Sequence, residues 1–289
     1  LAALLKACRL ALLSSNGAVV LAASALLRRL LPFEQLSCIA RPLCRLTRSS
    51  RPEIAFCALE VVHALAVHGP ALFASATSDF FASADEPGYL IDAKCRILSV
   101  LVSPATVGPI SRELTAYLRS ATPRLAKAAA SAVAECATRM PVIAEPCLSS
   151  LVSMLSYGEE GTVATAIDAI RRVLQAPSLP AQPRVVTALA LLLPQVRVPH
   201  ARAMLVWCVG EYIPHIPRLA CETLRVLLIK FHDEPTLVKL QVLTLAAKCA
   251  ASAAAPPQPS TLMLRYALDL AKYDLDCDVR ARARLLAAV

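Results

Sequence analysis

The chain has 289 residues, of which 57% are hydrophobic and only 4% aromatic, and its formal net charge is +9. The hydrophobic excess is alanine and leucine, both strong helix formers, while 7 glycines are too few for a fold built on tight β-hairpins. The composition therefore favours an all-α fold with 21 prolines marking its corners. Because base-stacking aromatic residues are scarce and no nucleic-acid-binding motif occurs, we expect no nucleic-acid partner.

Similar short corners, each followed by an amphipathic helix, recur along the whole chain. One early residue of each helix gives positions 34 to 41 residues apart, namely Val19, Ile54, Ile91, Leu125, Val163, Ala201, Val238 and Val279. This period is typical of armadillo and HEAT repeats, in which each helical hairpin buries its apolar face against neighbouring hairpins. The spacing predicts a right-handed α-solenoid of about eight such repeats. We expect residues 1–289 to form a single continuous solenoid that is a fragment of a longer protein.

The opening segment, residues 1–13, carries Lys6 and Arg9 within its apolar run. These charges and the lack of a small-residue cleavage site argue against a signal peptide. No apolar run in the sequence reaches the roughly 18 uncharged residues that a membrane-spanning helix requires.

Four arginines follow in the second repeat. Arg41, Arg45 and Arg48 are spaced i, i+4, i+7 and share one face of the predicted helix, and Arg51 lies just beyond its corner. Such a cluster predicts contact with an acidic membrane surface or an acidic partner, since each charge near an anionic surface contributes about 1 kcal/mol. The alternative is an ordinary solvated helix face.

The central repeat shows the helical periodicity. Apolar residues recur at i, i+4, i+7 and i+11 from Val163 to Leu174, which indicates an amphipathic helix. A preceding helix is predicted from Pro146 to Ser156, with Tyr157–Gly161 as the connecting corner.

The stretch Pro199–Pro217 contains the only tryptophan, Trp207. We predict that Pro214 stops one helix and that Pro217 starts the next, because proline lacks the amide proton that a helix interior needs. Within the stretch, Trp207 is predicted to be a bulky core anchor.

Three further residues of this stretch are predicted to have structural rather than functional roles. Gly210 is expected to permit close approach of a neighbouring helix. Glu211 and Tyr212 are expected to brace the corner at Pro214 through hydrogen bonds.

Two features precede the last helix. The alanine- and proline-rich residues 250–260 are predicted to be a surface loop between two helices of one repeat. Asp274, Asp276 and Asp278 alternate like the first ligands of an EF-hand, but the required glycine and glutamate are missing from the following positions. We therefore expect no calcium site and interpret Asp278 as an N-cap.

The 11 cysteines occur singly and without zinc-binding spacing, which predicts buried, reduced thiols. A cysteine-histidine nucleophile remains open as an alternative because such partners meet only in space. No phosphate-binding loop or metalloprotease motif occurs in the sequence, so we predict no catalytic residue, cofactor or metal and no enzyme activity.

Several short motifs give the sequence a family resemblance. Residues 207–212, WCVGEY, resemble the tryptophan, glycine, glutamate and tyrosine signature of β-adaptin trunks, and residues 237–243 are similar to the helix that follows it. Residues 43–51 and 270–284 are most similar to the β subunits of adaptor protein complex 3. Cys277 and Ala281 depart from that pattern, where a tyrosine and an acidic residue are expected.

The resemblance implies an armadillo/HEAT-like scaffold subunit of a heterotetrameric vesicle-coat adaptor complex, from which the hinge and ear are absent. Its implied partners are the medium, small and second large adaptor subunits, with an Arf-type GTPase in recruitment. It implies a cytoplasmic protein, peripheral on Golgi and endosomal membranes, that sorts cargo toward lysosomes or vacuoles. The alternative is another α-solenoid, such as a nuclear transport carrier or a regulatory protein-binding platform.

Overall fold

The computed structural model describes residues 2–155, 159–177, 182–254 and 257–288. It divides into two compact units, Leu1–Ala144 and Glu145–Val289. Within the described ranges there are helices and turns but no β-strand, so the predicted all-α fold is confirmed. No described helix combines the length and apolarity needed to cross a lipid bilayer.

The first unit contains seven α-helices that lie wholly within it. They are α1 (Ala2–Ala11), α2 (Gly17–Leu30), α3 (Ser37–Thr47), α4 (Pro52–His68), α5 (Gly88–Val100), α6 (Val107–Leu118) and α7 (Pro123–Arg139). Short 3-10 helices cover Phe33–Gln35, Pro70–Phe80 and Pro141–Ile143. Helices α2, α4, α5 and α7 pack successively against one another and form one layer, while α1, α3, the 3-10 helix Pro70–Phe80 and α6 pair with them from the other side.

The second unit repeats this plan. Its helices are α8 (Ala144–Met154), α9 (Glu160–Leu174), α10 (Pro183–Leu192), α11 (Pro199–Glu211), α12 (Pro217–Ile229), α13 (Thr236–Ala251), α14 (Pro257–Lys272) and α15 (Cys277–Ala287), with a 3-10 helix at Phe231–Asp233. Ala144, the first residue of α8, is the last residue of the first unit. Helices α9, α11, α13 and α15 pack in succession, and α10, α12 and α14 pair with α11, α13 and α15.

The predicted repeat register is confirmed. All eight positions chosen from the sequence lie within the first four residues of α2, α4, α5, α7, α9, α11, α13 and α15. Prolines begin several helices, as at Pro52, Pro123 and Pro199, because the first turn does not use its amide protons within the helix. The repeats therefore consist of one helix in each layer.

The first element of the third repeat departs from the regular hairpin. The segment Pro70–Phe80 is a 3-10 helix with a non-helical residue at Ala76 (φ −109°, ψ 19°). Its Phe73 and Phe80 side chains are fully buried, with their rings 6.1 Å apart in an edge-to-face arrangement. Aromatic burial, rather than a continuous α-helical hydrogen-bond ladder, holds this segment in place.

Two predicted boundaries need correction. Helix α8 starts at Ala144, before the predicted Pro146, and part of the predicted corner Tyr157–Gly161 lies outside the described residues. The predicted loop 250–260 is too long, because α14 already begins at Pro257, where proline is tolerated in the first turn. A single continuous solenoid remains a prediction.

Candidate functional site

A groove in the first unit is lined by three of the four arginines of the predicted cluster. Arg41, Arg45 and Arg48, from α3 and its C-cap, line a cavity of about 720 Å³. Its opposite wall is the 3-10 helix Pro70–Phe80, and the remaining lining residues are Ala40, Cys44, Leu72, Ser75, Ala76 and Asp79. Arg51 is exposed at the residue before α4 and does not line the groove. We call this cavity the α3 groove.

The three arginines of the α3 groove have different contacts. Arg45 donates from Nη2 to the carbonyl oxygens of Leu12 (3.3 Å) and Ser14 (2.8 Å), beyond the end of α1. Arg48 forms an ion pair with Asp79. Arg41 is exposed and makes no hydrogen bond or ion pair with another described residue. Two guanidinium groups are thus fixed by the protein, and the third is uncommitted.

The charge of the α3 groove is positive. Burial, assisted by the negative charge of Asp79, raises the pKa of Cys44 to about 11, so its thiol is neutral near pH 7. The titratable lining then consists of three guanidinium groups and one carboxylate. Ala40, Leu72, Ala76 and the Cys44 thiol supply apolar lining between these charges.

A second cavity of about 580 Å³ shares Arg48 and Asp79 with the α3 groove. Its lining includes Asp85 and Glu86, together with Lys94. Lys94 is buried and donates from Nζ to Glu86 Oε1 (2.5 Å) and to the carbonyl oxygen of Phe81 (3.1 Å). Acidic groups therefore outnumber basic groups in this neighbouring cavity, opposite to the α3 groove.

In the second unit, the stretch Pro199–Pro217 has the predicted boundaries. Helix α11 ends at Glu211, ahead of Pro214, and Pro217 begins α12. Trp207, however, is only partly buried, so its role as a core anchor stays a prediction. Its neighbours Val206, Cys208 and Val209 are the buried residues of this turn.

The prediction that Glu211 and Tyr212 brace the corner at Pro214 is wrong. Glu211 is exposed and forms an ion pair with Lys248 of α13. Tyr212 donates its hydroxyl hydrogen to the carbonyl oxygen of Leu174, at the end of α9, over 3.0 Å. The two side chains therefore connect α11 to the preceding and following helices of its layer.

Gly210 is buried beneath α13, but its packing does not require glycine. A Cβ atom added there would lie 3.6 Å from both Leu245 Cδ1 and Lys248 Cδ, which is ordinary van der Waals contact. The predicted close approach is therefore no tighter than an alanine would permit.

The aspartates before α15 form a corner network. Asp276, not the predicted Asp278, is the N-cap, and it accepts from the Asp278 amide. Asp274 accepts from Lys239 Nζ (2.8 Å) and from the Asp276 amide (3.0 Å). Burial would raise the pKa of Asp274, but these hydrogen bonds outweigh it and hold that pKa below its usual range. Thr236 donates to Asp276, so both carboxylates fasten α13 to the start of α15.

The cysteines form no disulfide and are mostly buried. Burial raises the pKa values of Cys95, Cys208 and Cys249 to about 12. A raised pKa disfavours the thiolate, which is the nucleophilic form. Only Cys57 and Cys277 are exposed, and neither lines the α3 groove.

Comparison with known proteins gives a consistent family relation. Residues 1–289 match the family model described as the adaptin N terminal region. The chain is 33% identical over 272 residues to mouse AP-3 complex subunit beta-2, covering 94% of this chain and 25% of that relative. It is 30% identical over 290 residues to Arabidopsis thaliana AP3-complex subunit beta-A, with 94% and 29% covered. The chain spans about a quarter of the length of these curated relatives.

Solved structures show the same kind of fold. A homology model of the full-length AP-3 complex in an intermediate open conformation matches with a TM-score of 0.80 and 24% identity, over 98% of this chain and 51% of that chain. The crystal structure of Kap121p bound to Nup53p matches with a TM-score of 0.60 and 14% identity, over 99% and 33%. At these identities the likeness concerns the α-solenoid fold alone.

Proposed function

The chain belongs to the adaptin N-terminal family, and from this premise we propose that it is a non-enzymatic scaffold in a vesicle-coat adaptor complex. The observation that carries the proposal is the match of all 289 residues to that family, joined by similarity to AP-3 β subunits from mouse and Arabidopsis. In this role the chain binds other proteins along its helices and performs no chemistry.

The proposed partners are the medium, small and second large subunits of an adaptor complex. Stacked helical hairpins suit this role because they expose one side of each layer along their length. In the second unit, the Glu211–Lys248 pair and the Tyr212 hydrogen bond connect successive helices of one layer. These contacts stabilise the layer by joining α11 to the helices before and after it.

The proposed setting is the cytoplasmic face of Golgi and endosomal membranes. There the complex sorts cargo into vesicles bound for lysosomes or vacuoles, and an Arf-type GTPase takes part in its recruitment. The formal charge of +9 supports peripheral contact with an anionic membrane.

A second candidate is a nuclear transport carrier, favoured by the fold likeness to Kap121p. Carriers of basic cargo need an acidic surface to attract it. The strongly basic composition of this chain disfavours that function.

The proposal is tested by purifying the tagged protein that contains this chain from its native cells and identifying what is bound. Recovery of one medium, one small and one other large adaptor subunit is expected. A matched purification with the tag alone controls for adhesion to the resin. Recovery of nuclear pore proteins without adaptor subunits would favour the carrier and overturn the adaptor proposal.

A further inference from the structure

The α3 groove has the features of a binding site for an extended peptide. Arg41 and Arg48 are seven residues apart on a helical path, which corresponds to about 10 Å along the helix axis. An extended peptide advances about 3.3 Å per residue, so a segment of about four residues covers the three arginines. The cavity of about 720 Å³ is large enough to hold such a short segment.

Two of the three arginines are held in place by the protein, and all three offer N–H donors to a ligand. Contacts with the carbonyl oxygens of Leu12 and Ser14 fix Arg45, and Asp79 fixes Arg48. A guanidinium group has five N–H donors, so each of these arginines keeps donors free for an incoming carboxylate. Arg41 has no competing partner among the described residues. A ligand with carboxylates therefore meets a largely preorganised set of donors.

The apolar lining adds a second requirement to the ligand. Ala40, Leu72, Ala76 and the neutral Cys44 thiol lie between the charged groups. In an extended peptide, successive side chains point to opposite sides. A segment that alternates acidic and apolar residues presents its carboxylates to the arginines on the α3 wall and its apolar side chains to Leu72 and Ala76 on the opposite wall.

The neighbouring cavity distinguishes a peptide from a membrane surface. Asp85 is exposed, and Glu86 lies beside it in the cavity that adjoins the Arg48–Asp79 pair. Lys94 neutralises Glu86, so Asp85 is the charge that a flat anionic bilayer approaching the arginines would also approach and be repelled by. A narrow segment placed within the α3 groove avoids that repulsion.

We propose that the α3 groove binds a short acidic segment of a partner protein, in which acidic residues alternate with apolar ones. This inference goes beyond the proposed adaptor function, because it concerns a ligand of one groove and does not require assembly of the complex.

The binding test uses the chain itself and a fluorescein-labelled peptide of about eight alternating Glu and Leu residues, long enough to span the groove. Fluorescence anisotropy measures its dissociation constant, and the same peptide with Gln in place of Glu is the uncharged control. Arg41→Gln is expected to weaken binding about fivefold, since it removes one charge-assisted contact. Arg51→Gln, a nearby arginine outside the groove, is expected to change binding little.

Two further variants test the need for an open groove while its charge stays unchanged. Ala40→Leu and Ala76→Leu fill the groove from opposite walls without altering any charge, and each is expected to abolish peptide binding while melting temperature confirms folding. Sedimentation with phosphatidylserine-containing vesicles serves as the comparison for a membrane ligand.

The outcomes are distinct. Peptide binding that requires Glu and Arg41 and is lost in the filled-groove variants supports the proposal. Equal effects of Arg41→Gln and Arg51→Gln, or peptide binding unchanged in both filled-groove variants, would overturn it. Vesicle binding that depends on Arg41 and survives filling of the groove would assign the arginines to a membrane instead. None of these outcomes alters the subunit co-purification that tests the adaptor function.

Discussion

Arg202 and Glu234 form a bidentate ion pair between two successive repeats of the second unit, with Nε 2.8 Å from Oε2 and Nη2 2.5 Å from Oε1. The side chains are only 16% and 7% exposed. Arg202 also donates from Nη1 to the carbonyl oxygens of Leu193 and Val196. One guanidinium group therefore joins α11 to the end of α10 and to the segment that precedes α13.

Removal of this guanidinium group is expected to destabilise the protein strongly. Arg202→Ala leaves the Glu234 carboxylate buried without its partner, which costs about 3 kcal/mol of unfolding free energy. The matched control is Arg225→Ala, because Arg225 pairs with Glu222 on an exposed surface and its loss costs less than about 1 kcal/mol. Urea unfolding followed by circular dichroism measures both. Equal, small losses would show that the buried pair contributes no more than the exposed one.

Acid stability is expected to depend on the Lys239–Asp274 pair. The pKa of Asp274 is lower in the folded protein than its ordinary value, so the pair stabilises the fold when pH lies above the unfolded-state pKa of about 3.9. That contribution is lost as pH falls through this value toward the folded-state pKa.

The measurement is melting temperature as a function of pH. Asp274→Asn is expected to melt well below the parent protein at neutral pH, with the difference shrinking below about pH 4. Asp168→Asn is the control, because the Asp168 side chain is 41% exposed and pairs only within α9. A difference between Asp274→Asn and the parent that stays constant with pH would contradict the electrostatic explanation.

Thiol reactivity is expected to follow burial. At about pH 8, iodoacetamide should modify Cys57 and Cys277 while Cys95, Cys208 and Cys249, whose pKa values are about 12, react only on unfolding. Mass spectrometry of tryptic peptides gives the order of labelling. In the double variant Cys57→Ser, Cys277→Ser, labelling before unfolding should be confined to the half-buried Cys38. A buried cysteine that reacts faster than Cys57 would revive the nucleophilic-enzyme alternative.

Alanine is expected to replace Gly210 without loss of stability. The added Cβ makes ordinary contacts with α13, and alanine is favoured over glycine within a helix by up to about 1 kcal/mol. A small rise in the urea midpoint is the expected result. Gly210→Leu is the contrasting variant, since its larger side chain overfills the space and costs about 1–3 kcal/mol. Destabilisation by alanine would mean that the backbone of α11 needs glycine here.

The sequence predicts the repeat register well because a buried face must recur at each helical turn and each repeat. It does not predict the 3-10 helix Pro70–Phe80, because that segment is held by the burial of Phe73 and Phe80 where it packs against α3, α4 and α5. Helical spacing alone predicts that Arg41, Arg45 and Arg48 share one face of a helix. The wall that turns them into a groove is not predicted, since it comes from the next repeat.

The contacts of Glu211 were missed for a related reason. Glu211 is predicted to form hydrogen bonds within the corner at Pro214, whereas it forms an ion pair with Lys248, one repeat later. The sequence feature that could have predicted this ion pair is two opposite charges about one repeat apart. The same feature is present in Glu60 with Arg96 and in Arg202 with Glu234. In a repeat protein, charge complementarity is therefore best sought at the repeat period.

The spacing of these polar contacts has a consequence for folding. Within each unit, a hairpin is fastened to the next one along the chain by partners such as Glu60 and Arg96 or Lys239 and Asp274. Loops closed by such neighbouring contacts are short and carry a small entropic cost, which favours rapid folding. Each unit can thus nucleate at any well-packed pair of hairpins and extend outward, and local opening at one hairpin is transmitted chiefly to its immediate neighbours.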